Sequence, residues 1–520
     1  MKTTELSHEE DLGAVFSKIA KIHKNKVALY YPDITVTYDE LEQQSNRISS
    51  WFNQKQFNMN EPVVIIPDKS PVCFAIMLGA IKSGIPYVNL DAKNPPSRSE
   101  KILRGCQPQL IFAQHSYEKL SVIQNLGFPI IHYDAPDFES KINQLEPNRS
   151  PNRLKPEDSI AYLMFTSGST GFPKAAVITQ KNVLSFISWA INAFDVKPTD
   201  VFTGLNPLHF DNSVFDFFLS LFTGASLAPI AQSELVHAKK VSQQLEAYGC
   251  TIWFSVPSLL IYFLGLRAIS KESLPSLNTV IFGGEAFPKA SLKALQQLWP
   301  KKQLVNVYGP TECTCICSFY KMLEPDLLNP ELLPLGTITP NFEYEILDSN
   351  LSPVKRGELG NLMLYGEGVG RGYFNNEAQA AKSFLSPGKQ RGNQRKGYLT
   401  GDLVWEDTET GLLHFKSRLD FQIKHKGHRI ELQEIETIVG QITGVLEVAV
   451  IYQEQPFPGQ ISAVVVLTND IDLDSLESEI NTLLPSYMKP TVIMPVERLP
   501  KNASGKTDRS QLPLLLSESR

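Results

Sequence analysis

Apolar residues recur along the middle of the chain in short runs that end in glycine, serine or proline. A segment with helical spacing follows several of these runs. Residues 160–165 are apolar and lead into a stretch rich in Gly, Ser and Thr, residues 166–174. Thr179 then stands where a cap opens a helix through Phe186 and Trp189. Residues 251–254 and 279–282 predict two more strands, ending at Ser255-Val256-Pro257 and at Gly283-Gly284-Glu285. Pro288 opens a helix with Leu292, Leu295, Leu298 and Trp299 at helical intervals. Residues 304–307 predict a further strand, ending at Tyr308-Gly309-Pro310-Thr311-Glu312.

Strands alternating with helices predict a largely parallel sheet with helices packed on it. In such sheets ligands bind beyond the carboxyl ends of the strands. Ser255, Gly283, Gly284, Tyr308, Thr311 and Glu312 all fall at such ends and converge on one candidate site. After about residue 335 the pattern changes to short alternating stretches with Gly-rich turns, which predict antiparallel strands. Residues 386–397 are polar, basic and turn-rich and read as a surface loop. Helical patterns at 431–439 and 473–484 flank a strand candidate at 463–467, enough for a small separate α/β domain. The expected fold is therefore α/β. A large N-terminal domain, with mostly parallel sheets flanked by helices and a small β-rich subdomain, precedes a small C-terminal α/β domain.

Composition narrows the class. Among 520 residues, 42% are hydrophobic and 20% charged, which excludes a disordered chain. The formal net charge of −6 argues against a dedicated nucleic-acid binder. The N-terminus is polar and acidic, with no apolar signal core. The most apolar stretch, 252–266, contains Ser255, Pro257 and Ser258 and falls short of the ~20 residues that span a bilayer. A soluble, cytoplasmic protein is expected. Six cysteines make no disulfide framework. Cys313, Cys315 and Cys317 alternate as on one face of a strand and read as small buried residues lining a site, without the His/Cys cluster a metal would need.

The strongest chemical signal is Thr166-Ser167-Gly168-Ser169-Thr170-Gly171-Phe172-Pro173-Lys174. Gly168 and Gly171 let the backbone turn tightly, and hydroxyls and amides can donate to phosphate oxygens. Lys174 follows Pro173, so this is not a Walker loop. The segment resembles the phosphate loop of the adenylate-forming superfamily, which includes acyl-CoA synthetases, luciferases and the adenylation domains of nonribosomal peptide synthetases. Further motifs of that superfamily follow in order: VTYDEL at 36–41, IKSGIPYVNLD at 81–91, HFDNSVFD at 209–216, NVYGPTE at 306–312, GELG at 357–360, YLTGD at 398–402, RLDFQIKHKGHRIELQEIE at 418–436 and LPKNASGKTDR at 499–509. The resemblance covers nearly the whole chain.

The resemblance implies an ATP- and Mg²⁺-dependent, AMP-forming acid–thiol ligase. It divides the chain into an adenylation core, 1–418, with its β-rich subdomain at about 335–418, and a mobile C-terminal domain, 419–520, hinged at Asp420. It implies that Thr166, Ser167, Gly168, Ser169, Thr170, Gly171 and Lys174 hold the pyrophosphate end of ATP, and that Gly284, Glu285 and Arg418 belong to the same nucleotide site. Tyr308 would stack on adenine, Asp402 would accept from the ribose hydroxyls, Thr311 would bind the α-phosphate and Glu312 would hold Mg²⁺. Lys506 would reach the substrate carboxylate and α-phosphate, offsetting charge as one anion attacks another. Rotation about Asp420 would withdraw Lys506 and bring in the Gly427 loop for attack by a thiol.

In the amino-acid-activating branch of the superfamily, the position of Asp211 binds the substrate ammonium, which supplies charge and hydrogen bonds to a carboxylate together. By motif alignment, Asn212, Phe215, Ser255, Ile281, Gly283, Val307, Cys315 and Ile316 complete the pocket. They are mostly neutral, with Gly283 leaving depth and Asn212 and Ser255 able to meet one polar group. A small to medium uncharged amino acid is expected. No carrier domain follows Lys506, so the chain reads as a stand-alone, synthetase-like adenylation enzyme whose acceptor is the phosphopantetheine thiol of a separate carrier protein. Lys424, His425, Lys426, His428 and Arg429 could help dock an acidic carrier. D-alanine–carrier protein ligase is an alternative within the class, and an acyl- or aryl-CoA ligase is another that Asp211 opposes.

Overall fold

The structure, a computed structural model, describes residues 10–117, 119–147, 154–168, 171–329, 331–386, 396–455, 457–468, 470–501 and 507–518. The chain forms two compact units. The first comprises Met1–Ala92, Cys106–Phe165 and Ala175–Leu419; the second comprises Lys93–Gly105, Thr166–Lys174 and Asp420–Arg520.

Three sheets build the first unit. A nine-stranded sheet carries, side by side and parallel, Ser226–Pro229, Val201–Gly204, Ile252–Ser255, Thr279–Gly283 and Gln303–Tyr308, followed by antiparallel Ser318–Lys321, and ends in antiparallel edges at Thr337–Ile338 and Thr35–Thr37. A seven-stranded sheet has a parallel core of Ile160–Thr166, Tyr87–Asn89, Val63–Ile65, Leu110–Ala113 and Ile130–His132. The stretch after residue 335 forms the expected antiparallel sheet, with Phe342–Leu347, Gly360–Gly366 and Gly397–Glu406 as neighbours.

The helices begin and end where their residues dictate. Pro71–Ser83 starts behind Ser70, whose side chain accepts from Cys73 N, with Pro71 at the first turn. It stops at Gly84, in the left-handed conformation at φ 68°. Every residue from Cys73 to Ser83 is buried, as suits a helix that is apolar all round and packed on all sides. Gln180–Ala193 starts at Thr179 through a reciprocal capping box with Asn182. One apolar cluster joins these helices to strand residues of both large sheets, among them Val63, Ile65, Phe254, Ile281 and Val305. No helix among the described residues is long and apolar enough to cross a membrane.

In the second unit, Val445–Gln453, Gln460–Leu467 and Val492–Pro495 form a sheet covered by Leu432–Val439 and Leu473–Leu483. A separate hairpin pairs Gln422–His425 with His428–Glu431. Its two-residue turn has Lys426 at φ 51° and Gly427 at φ 77°. Positive φ at both positions is the turn whose twist matches paired strands.

Candidate active site

Three adjacent parallel strands of the nine-stranded sheet end side by side. Ser255 pairs with Phe282, and Gly283 with Val307. Beyond Tyr308 the chain turns through Gly309 into a short 3-10 helix, Thr311–Cys313. Gly309 is obligatory, because a Cβ there would lie 2.2 Å from Cys315 O. The turn carries Thr311 to the segment 209–216, where its Oγ1 donates to Asp211 Oδ2 at 2.5 Å. Asp211 does not cap the short helix Asn212–Val214 that follows it. The candidate phosphate-side hydroxyl and the candidate ammonium-binding carboxylate are thus in direct contact.

Behind Asp211 the chain widens into a π-helical turn, Phe215–Leu219, all of it buried. Such turns are rare and are frequent at functional sites. Phe215 packs on Phe254, ring centroids 4.9 Å apart, in one cluster with Ile281, Val307, Cys315 and Ile316. Five of the nominated pocket residues therefore belong to one buried apolar cluster, and Asn212 is half-exposed.

Two nominated pocket residues behave differently from expectation. Gly283 does not leave depth: the space of a side chain is taken by Val307 O at 2.3 Å and Val307 Cγ2 at 2.7 Å. Ser255 is fully buried, and its hydroxyl accepts from Trp253 Nε1 at 2.8 Å and donates to Val256 O at 3.1 Å. The cysteines do not share one strand face either. Thr314 and Cys315 take positive φ, 54° and 74°. The break leaves Cys315 in the pocket cluster and Cys313 and Cys317 in another with Tyr308. Burial first, then the charges of Asp211 and Asp216, push the Cys315 thiol well above its ordinary value.

Glu312 is fully buried, with Tyr373 OH donating to its Oε1 at 2.7 Å. Tyr308 donates its hydroxyl to Asp402 Oδ2, and Arg418 Nη1 donates to Asp402 Oδ1 at 2.6 Å. Burial, and then the Asp402 charge, hold the Tyr308 phenol far above its usual range. Gly284 takes φ 89°. Glu285 Oε1 accepts from Ser258 N at 2.6 Å, at the start of the helix Pro257–Gly265.

The phosphate-loop residues gather in the second unit. Gly168 permits a tight turn in which a Cβ would lie 2.1 Å from Phe172 O. Gly171 N donates to Gly168 O at 2.9 Å, and Lys101 Nζ donates to Gly171 O at 3.0 Å. Thr166 Oγ1 reaches Lys174 O at 3.5 Å. Ser167 Oγ donates to Arg429 O of the hairpin at 2.8 Å. Burial raises the pKa of Glu431, opposed by the positive charges of Lys174 and Arg429. Arg98 pairs with buried Glu434 nearby in sequence to these groups. Asp420 opens the C-terminal segment of this unit, and its Oδ1 accepts from Gln422 N at 3.2 Å. Ser169, Thr170 and Lys506 lie outside the described residues, as does most of the loop read at 386–397.

Of the five basic side chains read as a docking patch, Lys426 alone is exposed. His425 is buried, Arg429 Nε donates to Gln422 Oε1 at 2.6 Å, and the ring of His428 stacks on Tyr487 at 3.7 Å.

The sequence pointed to none of the charged cluster behind the π turn. Lys69 is buried, with Nζ donating to Gly204 O and Ile230 O at 2.7 Å each. Asp216 is buried and accepts from Asn206 Nδ2 at 2.9 Å, while Asn206 also donates to Phe254 O at 3.0 Å. Burial raises the Asp216 carboxyl and lowers the Lys69 ammonium, each opposed by the other's charge. The one available signal was Asp216 itself, polar among Phe215, Phe217 and Phe218.

Comparison with known proteins adds the following. The family model described as AMP-binding enzyme matches residues 16–374, and the one described as AMP-binding enzyme C-terminal domain matches 434–506. The chain is 30% identical to D-alanine–D-alanyl carrier protein ligase of Bacillus licheniformis over 506 residues, 95% of this chain and 97% of that protein. It is 31% identical to a dimodular nonribosomal peptide synthase of Bacillus subtilis over 504 residues, 96% of this chain and 21% of that protein. The solved structure of the Vibrio cholerae adenylation domain AlmE, in complex with glycyl-adenosine-5'-phosphate, shares the fold with a TM-score of 0.80. It is 23% identical and covers 98% of each chain.

Proposed function

The chain belongs to the AMP-binding enzyme family and is an AMP-forming ligase, and from that premise we propose that it activates a small uncharged amino acid and passes it to the thiol of a carrier protein. The contact between Thr311 Oγ1 and Asp211 Oδ2 carries this reading. It sets a group suited to the α-phosphate beside a group suited to an ammonium, so the two ends of one amino acid can be met by neighbouring side chains. The relatives named D-alanine–D-alanyl carrier protein ligase, matched over nearly their whole length, support a carrier protein as acceptor and make D-alanine the first substrate to test. Val307 filling the space beside Gly283 supports a shallow pocket and a small side chain. ATP dependence makes the cytoplasm the compartment of this reading.

In the first step a substrate carboxylate oxygen attacks the α-phosphorus of ATP, and pyrophosphate leaves. Asp211 orients the substrate through its ammonium, and alignment of the two reactants removes much of the entropic barrier. Asp402 keeps lone pairs for ribose hydroxyls beyond the two donors it already accepts, since a carboxylate has about four acceptor sites. Glu312 suits Mg²⁺: it offers a hard carboxylate oxygen next in sequence to Thr311, and Mg²⁺ takes one or two carboxylates while keeping waters and phosphate oxygens. When bound, the ion would neutralise phosphate charge. Lys506 would stabilise the charge developing at the α-phosphate. In the second step the carrier thiolate attacks the acyl carbon and AMP leaves, with Asp420 as the hinge between the two states.

Amino-acid-dependent ATP–pyrophosphate exchange across D-alanine, L-alanine, glycine, β-alanine, larger amino acids and aryl acids tests the reading, followed by thioester formation on a phosphopantetheinylated carrier. Exchange with D-alanine or another small amino acid is the expected result. Exchange only with an amine-free acid would overturn it.

A further inference from the structure

A cluster of donor atoms unrelated to the strand ends described above lies at the edge of the seven-stranded sheet. Leu110–Ala113 and Ile130–His132 pair in parallel there, Ala113 opposite His132. His115 follows the first strand by two residues, and Asp134 follows the second by two. The parallel register therefore brings three potential ligands to one corner. The backbone N–H of His115 donates to both Asp134 oxygens, at 3.0 and 3.1 Å, and His115 Nδ1 lies 3.1 Å from Asp134 Oδ1. The His132 ring stacks on the His115 ring, centroids 4.0 Å apart and 21° between planes. One donor atom from each of the three residues lies within 4.8 Å of the other two. His132 Nδ1 is buried and has no hydrogen-bond partner among the described residues.

A buried imidazole nitrogen with no partner calls for an explanation. The other two side chains explain themselves as a surface hydrogen bond, but His132 does not. We propose that His115, His132 and Asp134 bind a borderline divalent transition metal ion, Zn²⁺ being the type.

The donor set decides the ion. Two imidazole nitrogens and one carboxylate suit Zn²⁺, Co²⁺ or Ni²⁺, whereas Mg²⁺ and Ca²⁺ favour oxygen alone. Three protein ligands leave a fourth tetrahedral position for water. With bonds of about 2.0–2.2 Å, donor atoms around such an ion sit roughly 3.4 Å apart, so the cluster must close inward. Stacked rings send their lone pairs along nearly parallel lines and cannot both aim at one point. Closure therefore turns the ring of His115, whose side chain is 58% exposed, out of the stack, while half-buried His132 stays. Asp134, already held by the His115 backbone, is pre-oriented. The ion then adds a coordinate link between the ends of two adjacent strands, one of them the sheet's edge, to the hydrogen bonds already joining them.

The test uses the full chain at pH 7.5. Co²⁺ and Zn²⁺ are titrated calorimetrically into the wild type, His132→Ala and His115→Ala/His132→Ala, with the Co²⁺ absorption spectrum recorded. Far-UV circular dichroism verifies the fold of each variant, so the result does not depend on which substrate the enzyme activates. The expected result is one ion per chain and a Co²⁺ spectrum free of thiolate charge transfer, so that the six cysteines are not the ligands. Affinity falls roughly tenfold or more in His132→Ala. Excess Mg²⁺ does not displace the ion, and Zn²⁺ raises the unfolding temperature of the wild type but not of the double variant. Equal affinity in the double variant, a thiolate spectrum or no binding by the wild type would each overturn the proposal.

Discussion

Asp402 has two roles that one set of variants separates. Its side chain is 4% exposed and faces Arg418, itself 10% exposed, while Tyr308 donates to its other oxygen. Removing one partner from a buried ion pair costs about 3–5 kcal/mol, because the remaining charge stays in a poorly solvated place. Asp402→Asn keeps the shape and an acceptor for Tyr308 but not the charge. The lower end, ~3 kcal/mol, is the fitting figure, and it corresponds to roughly a 150-fold smaller folding constant. Replacing both partners, as in Asp402→Asn/Arg418→Met, removes the stranded guanidinium and restores most of that loss. The proposed ribose contact obeys different arithmetic. Hydrogen bonds to a charged acceptor contribute about 1.5–3 kcal/mol, so the KM for ATP in pyrophosphate exchange rises roughly 10- to 150-fold in the single variant and at least as much in the double, which also lacks Arg418 of the expected nucleotide site. Urea unfolding reads the first quantity and exchange kinetics the second. A double variant that regains both wild-type stability and wild-type KM for ATP would refute the reasoning, because Asp402 would then serve only to satisfy Arg418.

Four other outcomes are expected under the proposed function and the structure. Lys506→Ala lowers adenylate formation about a hundredfold or more, the scale of one well-placed electrostatic stabiliser, as pyrophosphate exchange will show. Asp420→Pro spares exchange and blocks thioester formation on the carrier; equal loss of both steps would remove Asp420 as the hinge. Gly283→Ala forces a methyl to 2.3 Å from Val307 O, and lowers stability by about 1–3 kcal/mol in urea unfolding. Asp216→Asn changes the pH dependence of stability. The folded carboxyl has a raised pKa, so between the ordinary value and the raised one the native chain holds a proton that the unfolded chain has lost. Stability therefore falls as pH rises through that window, by up to about 1.4 kcal/mol per pH unit. Asparagine removes this slope below pH 7, which urea midpoints from pH 5 to 7 will reveal.

What could be read in advance was whatever depends on neighbours in sequence. The strand ends at Ser255, Gly283 and Tyr308 and the cap at Thr179 follow from local chemistry, and they are found where the pattern puts them. The hairpin at 422–431 lies within the stretch whose alternation predicted antiparallel strands, though its Lys426-Gly427 turn carries no specific signal. Lys69 could not be read, because a lysine beside Asp68 and Ser70 looks solvated until two strands carrying Gly204 and Ile230 close over it. Ser255 was legible as a strand end but not as a partner of Trp253, a choice made by packing. The π turn was hidden because Phe215–Leu219 has the composition of an ordinary buried helix. The link between Ser167 and Arg429 spans 262 residues, and no periodicity reports on such a distance.

That link has a consequence for the enzyme's affinity for its own substrate. A serine hydroxyl has a single proton to donate, and that of Ser167 is directed to a peptide carbonyl of the hairpin. Under the proposed function, a phosphate oxygen arriving at the loop would compete for it, and nucleotide and hairpin would act as rival ligands of one donor. Under the proposed reading, the measured dissociation constant for ATP contains a term set by the hairpin. Each 1.4 kcal/mol of hairpin contact weakens apparent nucleotide binding about tenfold, and loosening the hairpin tightens it by the same factor. Substitutions around residues 422–431, in positions that touch no nucleotide, become a means of tuning how readily the loop is vacated for ATP and reoccupied once pyrophosphate has left.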